Sequence, residues 1–199
     1  MNLCHRSTPV AALCLGLALS AHASAGALAL SATAKSSITV LGDSTIHQWS
    51  TKATRLAIGG SCSPGQPGAL DAVGKGLLRA LSFSAQVDSL KSSEGSGMDK
   101  NVHAAMDSDK YANVSFVMGS YKASDGQVSV LGVLSIHGVT RTADLKGALA
   151  AVGQGFSVKG RYDLLMSDFG VKPPVLLMGM LKVSDKVSIV YDFTMLPSP

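Results

Sequence analysis

Polar and apolar positions alternate with a period of two over most of this chain, the mark of strands with one buried and one wet face. The cleanest run sets Phe156, Val158, Gly160, Tyr162, Leu164 and Met166 against Ser157, Lys159, Arg161 and Asp163. Leu81 to Leu90 sets Leu81, Phe83, Ala85 and Val87 against Ser82, Ser84, Gln86 and Asp88. Val114, Phe116 and Met118 oppose Ser115, Val117 and Gly119, while Leu134 and Ile136 oppose Val133, Ser135 and His137. Ser37 to Leu41 and Val187 to Met195 alternate as well, Ser50 to Ile58 does so loosely, Leu181 to Val183 joins the set, and the small, apolar Leu28 to Ala34 either begins a strand or stays a mobile arm.

Turn chemistry punctuates these runs. Asp125-Gly126 is a strong hairpin signal, Gly42-Asp43-Ser44 ends the strand from Ser37, and Gly153-Gln154-Gly155 turns the chain into Phe156. Gly59 to Gly68 reads as a loop, and Asp168 to Met180 as an irregular loop held extended by Pro173 and Pro174. Gly138 interrupts the run from Gly132 to Leu145 and predicts a barrel corner. Ala69 to Arg79 is ambiguous, since Gly74 and Gly76 weaken a helix there. Met98 to Tyr111 is the convincing helix, with a narrow apolar stripe of Met98, Val102, Ala105 and Met106. About eight strands, one inserted helix and no βαβ rhythm predict an all-β antiparallel sheet that closes on itself. A barrel of that size is either filled by its own side chains or encloses one small ligand.

The first residues change the picture. Met1 to Pro9 carries Arg6 and no acid, Val10 to Leu19 is apolar, and Ala21-His22-Ala23 and Ala23-Ser24-Ala25 offer small-x-small cleavage patterns. Residues 1–25 therefore read as a cleavable export signal and 26–199 as one domain, with a periplasmic or otherwise secreted destination. The apolar run is shorter than the roughly 20 residues a bilayer demands, and no later stretch is long and apolar enough to span. Leu13 before Cys14 argues against lipidation. Cleavage leaves Cys62 as the single thiol, so no internal disulfide supports the fold.

Charge excludes one partner class. The net charge of +4 falls to +3 without Arg6, the charges are scattered, and aromatics make up 5%. A nucleic-acid platform needs a basic stripe interleaved with aromatics, so no nucleic acid is expected.

Several strings occur together and in order: Gly42 to Trp49 (GDSTIHQW), Val87 to Ser92 (VDSLKS), Met98-Asp99-Lys100 through Asp109-Lys110-Tyr111, Leu134 to Arg141 (LSIHGVTR), and Asp168 to Val171 (DFGV). In these the chain resembles the YceI-like family of bacterial exported proteins, departing only mildly, as at Ala112 and Ser135. The resemblance implies an extended, lipocalin-like eight-stranded antiparallel barrel whose elongated cavity holds a polyisoprenoid or isoprenoid quinone. It implies a binding or carrier protein, with no cofactor beyond the bound lipid and a homodimer left open. The alternative is a structural or interaction barrel of the periplasm that binds no ligand. Burial of a methylene contributes about 0.8 kcal/mol, so a prenyl chain needs chiefly a long apolar cleft.

Candidate lining residues are the large apolar ones opposite the polar rows: Phe83, Val87, Phe116, Met118, Leu134, Ile136, Tyr162, Leu164 and Met166. The competing reading of each is plain core packing. Trp49, the one tryptophan, is expected to plug a barrel end, to stack on the ligand, or both. His137 and Arg141 are expected to fix the corner through backbone carbonyls, with Arg141 alternatively meeting a polar ligand head. Asp99, His103 and Asp107 recur every four residues, but one helix supplies no second source of ligands, and no metal is expected. No nucleophile elbow, zinc-binding helix motif or phosphate loop occurs, so no enzyme is expected.

Overall fold

The alternating runs pair with their sequence neighbours, as short connections dictate. In the computed structural model, which describes residues 27–64 and 68–198, they form β1 (Leu28–Ala32), β2 (Ser37–Ser44), β3 (Gln48–Ala53), β4 (Leu56–Cys62), β5 (Leu78–Gln86) and β6 (Leu90–Ser92). Next come β7 (Asn113–Ser124), β8 (Gln127–Ile136), β9 (Val139–Val152), β10 (Gly155–Leu165), β11 (Val175–Leu176) and β12 (Leu181–Pro197). Helix α1 spans Ala69–Gly74 and α2 spans Ser96–Ala105. The expected export signal, residues 1–25, lies outside the described residues.

These segments make a closed, eight-stranded antiparallel barrel. Its ring runs β1-β4-β5-β7-β8-β9-β10-β12 and closes through β1 against β12. β2, β3 and β6 continue β1, β4 and β5 beyond a bend, so the first three staves of the barrel are each broken in two. β12 spans the bend, pairing with β2 over Val183–Asp192 and with β1 over Met195–Pro197.

Hydroxyl side chains hold this fold line. Ser36 Oγ accepts from the Thr194 amide (3.0 Å), and Thr54 Oγ1 donates to the Ser89 carbonyl (2.8 Å). The buried Ser89 Oγ accepts from the Arg55 amide (3.1 Å) and donates to the Gln86 carbonyl (2.7 Å). These bonds satisfy backbone groups that the bend takes out of the ladder, while the buried Thr33 Oγ1 at the same bend has no hydrogen-bond partner.

The turns explain the regular side of the barrel. Asp125 and Gly126 have φ of 51° and 71°, and His137 and Gly138 have 52° and 74°, so both connections are two-residue hairpins of type I′. Gly138 is thus a hairpin residue rather than a barrel corner. A Cβ on it would overlap the Tyr111 ring, which adds a packing reason for glycine.

Four local expectations are corrected. Gly59 to Cys62 is strand, not loop: Gly60 lies against the Ala80 carbonyl, a close approach that a side chain would block. Gly42 to Ser44 stays inside β2, because Gly42 seats the cross-strand Trp49 ring. The helix predicted over 98–111 starts at Ser96 and ends at Ala105, where Asp107 takes a φ of 46°. Within the expected loop 168–180, Val175–Leu176 pairs with β12. The ambiguous stretch at Ala69 resolves as α1, which buries Ala69, Ala72 and Val73 in one end of the barrel.

Two apolar clusters fill the interior. The smaller, with Leu30, Cys62, Val73, Leu78, Phe156 and Met195, closes the α1 end. The larger runs from mid-barrel towards α2 and contains a row of rings: Phe83 stacks on Phe116 (5.6 Å), Phe193 tilts on Phe83 (5.7 Å) and Tyr191 stacks on Phe193 (5.5 Å). Burial pushes the Tyr191 phenol up to about 12, and the neutral hydroxyl donates to the Lys146 carbonyl (2.8 Å). Among the described residues no helix is long and apolar enough to cross a membrane.

Candidate functional site

Beyond the aromatic row the barrel is not filled. Inward residues of β2, β3, β5, β10 and β12 surround a cavity of about 140 Å³, and the empty space including its open mouth is about 1270 Å³. Ile38 and Val40 come from β2, Trp49 and Thr51 from β3, Phe83 and Ala85 from β5, Leu164 from β10, and Val187 and Ile189 from β12. Helix α2 roofs it with Met98, Val102, Ala105 and the following Met106, the apolar stripe visible in the sequence. The void at the α1 end is about 30 Å³ and is bounded by Phe116, Phe156 and Phe193 among others. Phe83 lines both spaces and stands between them.

The expected lining residues divide by depth. Trp49, Phe83, Ile136, Leu164 and Met166 line the larger cavity, and Phe116 lines the smaller void. Leu134 is fully buried packing, and Met118 and Tyr162 are half-buried against the core without lining either space. Val87 is sealed in the helical turn Val87–Ser89 that bends the third stave. Ile38, Val40, Val187 and Ile189 also line the cavity, and the same alternation that marked the others marks them.

Polar groups gather at the mouth. Ser44, His47 and Glu94 line the cavity there, the buried Thr51 and the α2 residue Asn101 line it elsewhere, and no lysine or arginine does so among the described residues. His47 Nε2 lies 3.2 Å from Glu94 Oε2, linking the β2–β3 turn to the loop before α2. That turn is built by Ser44, whose Oγ donates to the His47 carbonyl (2.8 Å), and by Thr45, whose Oγ1 donates to the Met180 carbonyl (2.9 Å). The Trp49 indole N–H donates to the Asp43 carbonyl (3.2 Å), which fixes the ring over Gly42 at the rim.

Helix α2 is tethered by its polar side. Asp99 accepts from the Ser92 amide (2.6 Å) and from Lys91 Nζ (3.1 Å), and His103 Nε2 lies 3.0 Å from the Leu90 carbonyl. The Ser92 N–H, and then the Lys91 ammonium, hold the Asp99 carboxyl below the usual carboxylate range. The carboxylate–imidazole–carboxylate face expected over 99, 103 and 107 does not form, because the helix ends before Asp107. Among the described residues no three metal-ligating side chains cluster.

The YceI-like domain model matches residues 30–195. The chain belongs to the YceI-like family. No curated protein matches it. The chain is similar in fold to Burkholderia cenocepacia BcnA, at 19% identity and TM-score 0.66, over 81% of this chain and 96% of that one. It is also similar to a polyisoprenoid binding domain from Saccharophagus degradans, at 13% identity and TM-score 0.62, over 86% and 99%. Campylobacter jejuni YCEI protein follows at 14% identity and TM-score 0.56, over 75% and 84%.

The strings shared with the YceI-like family have structural tasks here. Ser135 to Arg141 is the β8–β9 hairpin, and Arg141 Nε donates to the Asp168 carbonyl (2.6 Å), as expected. The guanidinium also lies over the Phe169 ring at 5.9 Å and does not line the cavity. His137 acts otherwise than expected: its ring packs on Tyr111 at 4.5 Å, and no hydrogen bond to it is found among the described residues. Tyr111 and Phe169 thereby pack on His137 and Arg141 of the hairpin.

Proposed function

We propose that this YceI-like barrel is an exported, non-enzymatic carrier that holds an isoprenoid lipid, a polyisoprenoid or isoprenoid quinone, in the cavity beneath α2. The observation that carries the reading is an apolar cavity, open at one end, floored by Phe83 and roofed by an amphipathic helix. Its likeness in fold to a domain described as polyisoprenoid binding supports the same reading. Trp49, Phe83, Ile136, Leu164 and Met166 contact the chain, and Met98 and Met106 adapt to it, as flexible thioethers do.

Size sets a condition on entry. A space of about 140 Å³ resembles the ~150 Å³ apolar cavity that admits one benzene. A chain of several prenyl units therefore has to lift α2 or run out beneath it. Each buried methylene contributes about 0.8 kcal/mol, a drive that opposes the polar tether of the helix. A barrel filled by its own side chains describes the α1 end but not this one.

Residues 1–25 supply the export signal in this reading, and the mature protein begins at Gly26. Trp49 at the rim provides the test. Added short-chain ubiquinone quenches its fluorescence to saturation at one equivalent, and intact mass gives a chain starting at Gly26 in a periplasmic or secreted fraction. Absence of saturable quenching refutes the carrier, and an uncleaved chain confined to the cytoplasm refutes export.

A further inference from the structure

A small hairpin stands at the open end of the barrel. Val175 pairs with Lys182 and Leu176 with Leu181, and the turn Leu177–Gly179 forms its tip. The β2–β3 turn braces it. The Thr45 amide donates to the Lys182 carbonyl (3.0 Å), the Thr45 hydroxyl to the Met180 carbonyl (2.9 Å), and the Lys182 amide to the Thr45 hydroxyl (3.2 Å). Pro174, Leu181 and Val183 line the cavity from the base of the hairpin. The hairpin is therefore a braced prong on the cavity rim.

What the prong carries is apolar and turned outward. Met178 is fully exposed, and Met180, Val175 and the neighbouring Ile46 are 72%, 60% and 59% exposed. Met178 also has a φ of 53°, in the left-handed region that favours glycine. A long apolar side chain held in water on a strained backbone points to a surface that is covered when the protein works. The exposed Val117, Leu131 and Val133 differ: they lie on the regular wall of β7 and β8, beside Ser82, Ser115, Ser135 and Thr142.

Charge and shape say what covers the prong. From Val175 to Leu181 no charged residue occurs, and Lys172 and Lys182 bracket the run. Both lysines are exposed, and neither forms an ion pair among the described residues. The carboxylates of the adjoining segments are engaged by the protein itself. Asp43 accepts from the Ser44 amide (2.9 Å) and Asp185 from the Ser167 amide (2.8 Å), while Glu94 pairs with His47 and Asp168 with Arg141. A stable protein interface needs about 800 Å² of matched surface per partner, which four separate tips on a narrow prong do not offer. Fluid hydrocarbon accepts such tips without a matched shape, and flexible thioethers adapt to it. Lysines that bury their stems and keep their ammonium groups among lipid phosphates complete an interfacial anchor.

We infer that the 175–182 prong docks the open end of the barrel on an anionic membrane surface. Val175, Met178, Met180 and Ile46 enter the lipid, and Lys172 and Lys182 stay at its headgroups. The inference goes beyond the carrier reading and does not rest on it, since the four apolar tips lie outside the cavity. Where both hold, the cavity mouth faces the bilayer.

The test uses the protein freed of residues 1–25, so that the apolar leader adds no affinity of its own. It is sedimented with vesicles of phosphatidylethanolamine and phosphatidylglycerol, and with vesicles of phosphatidylcholine, neither containing prenyl lipid. The wild type binds both and binds the anionic vesicles more tightly. Met178→Asp combined with Met180→Asp weakens binding to both by about tenfold or more. The urea midpoint of that variant is unchanged, because both side chains are already in water. Lys172→Gln and Lys182→Gln each weaken binding to the anionic vesicles about fivefold and leave binding to phosphatidylcholine as it was. Val133→Ser, on the wall, changes neither. An environment-sensitive fluorophore attached through Met178→Cys shifts to the blue on vesicles, and one attached through Val133→Cys does not. No binding to either vesicle, binding that survives Met178→Asp with Met180→Asp, or an unshifted fluorophore at position 178 overturns the inference. So does a concentration-dependent dimer that the same pair of substitutions dissociates, which would give the prong to a second copy of the chain. Any of these results leaves the ubiquinone test of the carrier reading as it stands.

Discussion

Phe83→Ala removes the partition between the two internal spaces and so tests how the barrel measures its ligand. The ring is 6% exposed, stacks on Phe116 at 5.6 Å and 16°, and meets Phe193 at 5.7 Å. Truncating a buried phenylalanine costs about 3–5 kcal/mol, of which each lost aromatic pair accounts for about 0.5–1.5. Against a total stability of about 5–15 kcal/mol the variant stays folded but marginal. The same change joins the cavity of about 140 Å³ to the void of about 30 Å³ and adds the volume of the ring. One further isoprene unit placed there gains up to about 4 kcal/mol gross, from five carbons at about 0.8 each. Urea unfolding of the free protein reads the first effect. Binding of farnesol, geranylgeraniol and longer prenols reads the second, with the optimum moving to a longer chain in the variant. A stability loss under about 1 kcal/mol, or an unmoved chain-length optimum, refutes Phe83 as the floor.

Three further outcomes follow from the packing. A Cβ at Gly160 would overlap the Lys146 carbonyl and the Tyr191 phenol, so Gly160→Ala lowers the urea midpoint by the equivalent of about 1–3 kcal/mol; an unchanged midpoint contradicts that contact. Asp99→Asn loosens the tether of α2 and speeds amide exchange over 96–105 without reaching the barrel strands. Because the folded Asp99 carboxyl titrates below its ordinary range, its contribution is fully present above about pH 3.9 and is lost as the pH falls through the lower folded value. Wild type and variant therefore differ at pH 7 and converge only in strong acid, and convergence near pH 6 would assign the tether to another group. Cys62 is 0% exposed and its thiol is pushed up by burial. A chain freed of residues 1–25 therefore reacts with Ellman's reagent in urea but not when native, and rapid native labelling would place Cys62 outside the core.

The regular half of the barrel is legible in the sequence because its physics is local. β7 to β10 alternate cleanly, and a dipeptide such as Asp125-Gly126 fixes both turn and register. The bends in the first three staves are not legible, since Ser36 is satisfied by Thr194 and Thr54 by Ser89, partners far along the chain. Gly60 is hard to read for a related reason: close backbone approach inside a sheet, here to the Ala80 carbonyl, and a flexible loop call for the same residue. The cavity is the hardest part to read. Leu134 and Ile136 share one face of β8, yet the first is solid packing and the second lines open space. Alternation reports which side is inward and says nothing of height along the barrel. That height is set by the fold line and by where α2 settles. The stripe of Met98, Val102 and Met106 was visible as a helix face, but only the fold shows that it faces a void.

The central claim is that the upper barrel is built to be occupied. The direct measurement is organic extraction of protein purified from its native compartment, followed by mass spectrometry of the extract and of the intact complex. The account predicts a prenyl lipid recovered in near-equimolar amount and a matching mass difference between native and denatured protein. Repeated preparations that carry no lipid, and no mass difference, would contradict it.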